Sequence, residues 1–251
     1  MNDSTPTAAL AAGEPFAPDI RTRLYLWMSA IFVTSLLLAN ILGVKLFSFQ
    51  LFEGRLTVEH TVGMLPFPIT FLLTDLLNEY YGKRAARRVT YVAFAMGALA
   101  FGLIYLGRMM PILEGIPGTA DAASFETIFG SAALMYIASM VAFLIGSLLD
   151  IWLFGIFKRL TGGKMIWLRA TGSTVVSQLF DSFVVTFMFF IVLQKLTGGE
   201  AADAGFVFGT ALTGYILKFV IAVALTPAIY LGRWFIRTQF GLRPLPPEAV
   251  A

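Results

Sequence analysis

The chain has 251 residues, of which 58% are apolar and only 13% charged, and it carries a formal net charge of +3. A soluble domain carries about 25% charged residues, so this balance, with a mean hydropathy of +0.80, excludes a soluble globular domain. The absence of cysteine excludes disulfides, thiolate nucleophiles and thiolate metal sites, and the single histidine, His60, cannot build a multi-histidine metal centre.

In chain order, residues 1–22 are Ala-, Pro- and Thr-rich and lack the basic start and apolar middle of a signal peptide, so they read as a disordered cytoplasmic tail. Six segments then approach the roughly 20 apolar residues a helix needs to cross the hydrocarbon core. They run about Leu24–Leu46, Val62–Tyr81, Thr90–Gly107, Ile128–Phe157, Gly172–Leu193 and Phe208–Phe235. Between the first two, residues 47–60 partly alternate apolar and polar side chains, as a short hairpin or an interfacial segment would. Residues 238–251, which end RPLPPEAVA, read as a second cytoplasmic tail. The expected fold is therefore all-α: a polytopic bundle of six transmembrane helices, spanning residues 23–237 and embedded in a lipid bilayer.

Basic residues orient this bundle. With the N-terminus in the cytoplasm, the outer segments hold only Lys45, Arg55, Arg108 and Lys195, and Lys218 lies within the sixth span. The remaining thirteen of the 18 Lys and Arg residues fall on the inner side. The positive-inside rule then places both termini in the cytoplasm.

Charged groups at membrane depth cost about 2.5–3.5 kcal/mol each on insertion scales, so they face a bundle interior or water. Asp75 and Glu79 lie one helical turn apart on one face of the second span, with Asn78 beside them. Either they serve a site, or Asp75 pairs with a base and Glu79 settles among the cytoplasmic arginines. Upstream, Pro66 and Pro68 flank Phe67 and mark the start of a regular helix. On the fifth span Ser173, Ser177 and Asp181 recur every four residues, with Gln178 nearby, so the helix lines a polar cavity or is glued to a neighbour. Lys218 is expected to meet an acid, and Asp181 has a similar depth. Asp150 lies towards the inner end of the fourth span near Lys158 and Arg159, where a structural role is favoured over a functional one, and Arg169 lies at the inner end of the fifth. Asn40 points inward from the first span, whereas Lys45 can snorkel to the interface.

No catalytic constellation emerges. A phosphate-binding Gly-Lys-Ser/Thr loop, an HExxH motif, a nucleophile elbow and an Arg-rich voltage-sensor helix are all absent from the sequence. The chain therefore reads as a non-enzyme with no cofactor and no metal.

Four blocks carry a family resemblance. FPITFLLTDLLNEYYGKRAAR at 67–87 resembles the signature of the queuosine precursor transporter family, also called the vitamin uptake transporter family. LRATGSTVVSQLFDSF at 168–183 resembles its second motif, and LANILGVK at 38–45 and LKFVIAVALTPAIY at 217–230 are similar to its first and last helices. The resemblance covers roughly residues 24–236. It implies a six-helix inner-membrane carrier for small molecules, the 7-cyano or 7-aminomethyl 7-deazaguanine precursors of queuosine, with no nucleic-acid partner. Oligomeric state, homo-oligomers included, is not set by it. The substrate edge would suit Asp75 or Asp181, with Gln178, Asn40 or Lys218 donating to the ring carbonyl, Ser177 beside them and Phe67 stacking. Glu79, Asn78, Lys45, Asp150 and Arg169 would gate or couple. Two other classes stay open: the substrate-binding subunit of an ATP-energised uptake complex, and an assembly protein whose buried polar groups only hold helices together.

Overall fold

The computed structural model describes residues 17–51, 56–113, 115–130 and 133–246; most of the expected N-terminal tail lies outside them. Helix α1 spans Ile20–Leu42. It begins four residues earlier than its apolar stretch suggests, because the Asp19 carboxylate caps it by accepting the Thr22 N–H at 3.1 Å. Those bonds from Thr22 hold the Asp19 carboxyl below its ordinary range. An antiparallel hairpin follows, with β1 at Leu46–Leu51 and β2 at Leu56–Thr61 in the register Leu46 to Thr61. One 3-10 turn, Val62–Met64, leads into α2 at Phe67–Met109.

Helix α2 is 43 residues long but contains one non-helical residue, Gly82, with φ 79° and ψ 170°. A residue with a Cβ rarely adopts that conformation, whereas glycine does so without penalty. The contacts show what the break accomplishes. Glu79 meets Lys158, near the C-terminal end of α4 (Ala133–Leu160), whereas the Gly97 carbonyl accepts the Tyr136 hydroxyl near its start. Along the first arm itself, Phe67 lies against Lys218 and Tyr80 against Arg233. Residues 67–81 therefore descend and residues 83–109 return: α2 is two spans joined by one glycine. The basic run Lys83–Arg88, expected as a loop, begins the second arm as helix. Carbonyls freed at the break are capped. The Glu79 carbonyl accepts the Leu245 N–H at 3.0 Å and the Lys158 ammonium at 3.4 Å, and the Tyr80 carbonyl accepts the Arg21 guanidinium at 2.8 Å.

A short helix, α3 at Ala122–Phe129, precedes the expected fourth span and takes its first two residues, Ile128 and Phe129. Helix α5 covers Ile166–Phe187 and continues through a π-helical stretch, Met188–Leu193, into the one-turn α6 at Gln194–Leu196. The expected sixth span is broken at Leu225 into α7, Ala204–Ala224, and α8, Thr226–Phe240. Pro227 in the first turn of α8 has no N–H to continue the ladder. Beyond α8, residues 241–246 of the expected tail turn back, and Leu245 makes the bond to Glu79 just described.

Among the described residues, five helical segments are long and apolar enough to cross a membrane, the α2 segment counting as one. Large apolar side chains such as Trp27, Leu103 and Trp234 are more than half exposed, as lipid-facing residues are. The common core joins Met28, Phe32, Leu77, Val89, Ile151 and Phe154. The chain is an all-α, multi-pass membrane protein.

Candidate functional site

Polar groups of the bundle interior form three layers. At the basic end, Glu79 is buried among cations. Its Oε1 lies 2.6 Å from Arg169 Nη2 and 3.9 Å from Arg233 Nη2. Its Oε2 lies 3.0 Å from Lys158 Nζ, off the direction of a hydrogen bond. Glu79, Lys158 and Arg169 side chains are each 1% exposed. Arg169 also donates to the Gly163 carbonyl at 2.8 Å and lies over the Phe154 ring. The cluster joins α2, α4 and α5 where the α2 hairpin turns.

One turn above, Asp75 is buried at 6% exposure, yet its Oδ1 has no hydrogen-bond partner, and no cation pairs with it among the described residues. It lines a cleft with about 290 Å³ of empty space, counting the open mouth. Only about 20 Å³ of that is wide enough for the centre of a water molecule, so this conformation admits little more than one water. Asp75 and Phe71 come from α2, Thr171 and Thr174 from α5, and Leu225 and Thr226 from the α7–α8 break. The Thr171 and Thr226 hydroxyls meet at 2.8 Å across the cleft. Helix packing brings these groups together because α5 runs antiparallel to the first arm of α2, so residues 170–174 face residues 71–75.

Behind the Thr174 wall lies Asp150, 2% exposed. Its Oδ1 accepts from Ser173 Oγ at 2.9 Å, Ser177 Oγ at 3.2 Å and Thr174 Oγ1 at 3.3 Å. The serine stripe of α5 therefore serves Asp150 of α4, and Asp181 stands apart from it. Asn78, fully buried, donates to the Ile151 carbonyl at 3.1 Å, while its own Oδ1 is unpartnered.

In the third layer Asp181 forms an ion pair with Lys218, linking α5 to α7. The Lys218 ammonium lies 5.1 Å from the Phe67 ring centroid. Gly146 of α4 permits this, since a Cβ there would lie 3.3 Å from Asp181 Oδ1. Burial, and then the Lys218 charge, hold the nearby His60 imidazole on β2 below its ordinary range.

The expected residues thus separate. Asp75 alone among them lines the cleft. Glu79 and Arg169 meet each other, Ser177 meets Asp150, and Asp181 meets Lys218 beside Phe67. Gln178 is buried with its Oε1 unpartnered. Asn40 turns back to the Leu36 carbonyl at 3.0 Å, and Lys45 is exposed between α1 and β1. The cleft threonines and Phe71 went unremarked in the sequence, although Thr171 and Thr174 lie within the second motif. Among the described residues no group of three His, Cys, Asp or Glu side chains could hold a metal ion.

Comparison with known proteins accords with this architecture. The family described as "Putative vitamin uptake transporter" matches residues 61–232, which contain both arms of α2, the Asp150 and Asp181 layers and the cleft. A protein named "Probable queuosine precursor transporter" from Bacillus subtilis (strain 168) is 29% identical over 177 residues, 70% of this chain and 72% of its own. The "Queuosine precursor transporter" of Escherichia coli (strain K12) is 26% identical over 219 residues, 86% of this chain and 88% of its own. No solved structure matches the chain. The chain belongs to the vitamin uptake transporter family and is a multi-pass membrane transporter, not an enzyme.

Proposed function

We propose that this chain is a secondary carrier in the cytoplasmic membrane that imports queuosine precursors, 7-deazaguanine bases with a 7-cyano or 7-aminomethyl group. The names of its relatives support the substrate class. The observation that carries the reading is Asp75, a buried carboxylate with an unpartnered oxygen on the wall of an interhelical cleft.

A guanine-type edge presents a ring N–H beside an exocyclic amine. One carboxylate accepts from both, and such charge-assisted pairs are about twice as strong as neutral ones. Binding there replaces a desolvated, unpaired carboxylate with a satisfied one. Thr171, Thr174 and Thr226 supply hydroxyls for the opposite edge, and Phe71 offers an aromatic wall for a flat ring. Lys218 is not the donor to the ring carbonyl in this reading, because Asp181 holds it.

The cleft is too narrow here for a bicyclic base, so loading requires its walls to part. Leu225 at the α7–α8 break lines the cleft, and the α2 turn at Gly82 lies beyond the Glu79 cluster; both are points where a helix can bend. Alternating access by movement of broken helices about a central site is a common transporter arrangement.

The test is transport by the purified chain alone, reconstituted into liposomes and given 7-cyano-7-deazaguanine. Uptake above that of protein-free liposomes is expected. No uptake unless an ATP-driven partner is added would overturn the secondary-carrier reading, and failure to bind the base at all would overturn the substrate.

A further inference from the structure

We infer that Asp150, Ser173, Thr174 and Ser177 form a site for a monovalent hard cation of the sodium class, set directly behind the wall of the substrate cleft. The inference rests on the carrier reading only for its purpose, which is coupling; the site itself is argued from its own atoms.

Charge is the first argument. Setting aside the Asp181–Lys218 pair, the fully buried acids are Asp75, Glu79 and Asp150, and the fully buried bases are Lys158 and Arg169. Both bases are committed to Glu79. Arg233, the third cation near Glu79, is partly exposed and 3.9 Å away. Above the Glu79 cluster the interior thus holds two buried acids, Asp75 and Asp150, with no base paired to either among the described residues. An isolated buried charge is expensive, and one cation at Asp150 offsets it.

Oxygen chemistry is the second. Four oxygens converge: Asp150 Oδ1 and three hydroxyls at 2.9 to 3.3 Å from it. Oxygens around a hard cation stand about this far apart, since ligands lie roughly 2.3–2.6 Å from an ion of calcium's radius. Hydroxyls can switch from donating to ligating only if their hydrogens have somewhere else to go. They do: Ser173 reaches the Ala170 carbonyl at 3.2 Å and Ser177 the Thr174 carbonyl at 3.1 Å. Turning both hydrogens onto the helix leaves two lone pairs aimed at the carboxylate.

A third observation points to a ligand independently of the acids. Helices α2 and α5, which flank the site, each hold a buried acceptor without a donor. Asn78 Oδ1 is one, on a fully buried side chain whose amide lies against Ile151, the neighbour of Asp150. Gln178 Oε1, on the neighbour of Ser177, is another. Unpaired buried acceptors are costly and call for a polar or cationic partner. A divalent ion is disfavoured because a single carboxylate meets the hydroxyls.

Thr174 ties this site to transport. Its hydroxyl touches Asp150 while its side chain lines the cleft with Asp75. A cation that draws Thr174 Oγ1 towards itself reshapes the wall the substrate meets, so each ligand alters affinity for the other.

The test uses the purified full chain in detergent, with its melting temperature followed as sodium chloride replaces choline chloride at constant ionic strength. Specific binding to the folded state raises the melting temperature progressively with sodium. Ser177→Ala, a small change that leaves the fold intact, should raise the sodium concentration for half the effect by at least about tenfold, the loss expected for one ligand. Asp150→Asn should abolish the effect. A wild-type melting temperature equal in sodium and choline, or a Ser177→Ala titration matching wild type, overturns the site. In liposomes, uptake driven by a proton gradient and indifferent to sodium overturns the coupling. Base binding is measured separately in choline, so failure of the cation site and failure of the substrate reading give different results.

Discussion

Asp75 and Glu79 lie one turn apart on the same arm of α2, and their surroundings are opposite. Glu79 has two buried cations within 3.0 Å, a third at 3.9 Å, and a backbone carbonyl bonded by the C-terminal segment. Asp75 has no partner for its Oδ1 and faces a cleft. Both are buried acids, so depth alone does not separate structure from function. Partnership does. A carboxylate neutralised by buried cations holds helices together, whereas one with no cation beside it is open to a charged or donating ligand.

The contrast is sharpest in the variant with the largest expected effect. Glu79→Gln keeps the shape but leaves Lys158 and Arg169 buried without a counter-charge. Breaking a buried pair from one side is destabilising by about 3–5 kcal/mol. The protein should lose much of its accumulation in the membrane and melt far below wild type, as read by heating followed by size-exclusion chromatography. Normal melting would mean that the cluster is not a clamp. Lys158→Met is a smaller perturbation. Arg169 still holds Glu79 at 2.6 Å, and the lost charged contact is worth about 1.5–3 kcal/mol. Its melting temperature should fall between those of Glu79→Gln and wild type, and a Lys158→Met variant less stable than Glu79→Gln would reverse the assigned roles of the partners.

Much of this was legible in the sequence. Apolar runs define the class, because bilayer thickness sets helix length. The depth of Asp75 in a lipid-compatible helix marks it for scrutiny, and the equal depth of Asp181 and Lys218 anticipates their pairing. Partnership of the other acids was not legible. A 3.6-residue period shows that Ser173, Ser177 and Asp181 share a face, but not which helix that face meets. In the structure the face twists past two neighbours, so its lower part meets Asp150 and its upper part Lys218. Gly82 was equally hidden. A basic run after a membrane span reads as a loop, yet one glycine with positive φ turns the chain while both flanks stay helical. The break at Leu225 was readable in principle from Pro227, but the apolar run continues through it and masks the kink.

Asp75→Asn gives the smallest expected change in stability and the most direct test of the central claim. Asp75 Oδ1 has no partner to lose, and neutralising an unpaired buried charge is neutral or stabilising. Binding should suffer instead, because an amide presents a donor where the guanine-type edge also donates. Isothermal titration of 7-cyano-7-deazaguanine into purified wild type and Asp75→Asn tests both halves, with melting temperature checked on the same samples. The account predicts an unchanged or raised melting temperature and an affinity lower by about 10- to 100-fold, the worth of one charged hydrogen bond at about 1.5–3 kcal/mol. Wild-type affinity in a well-folded Asp75→Asn protein would contradict it.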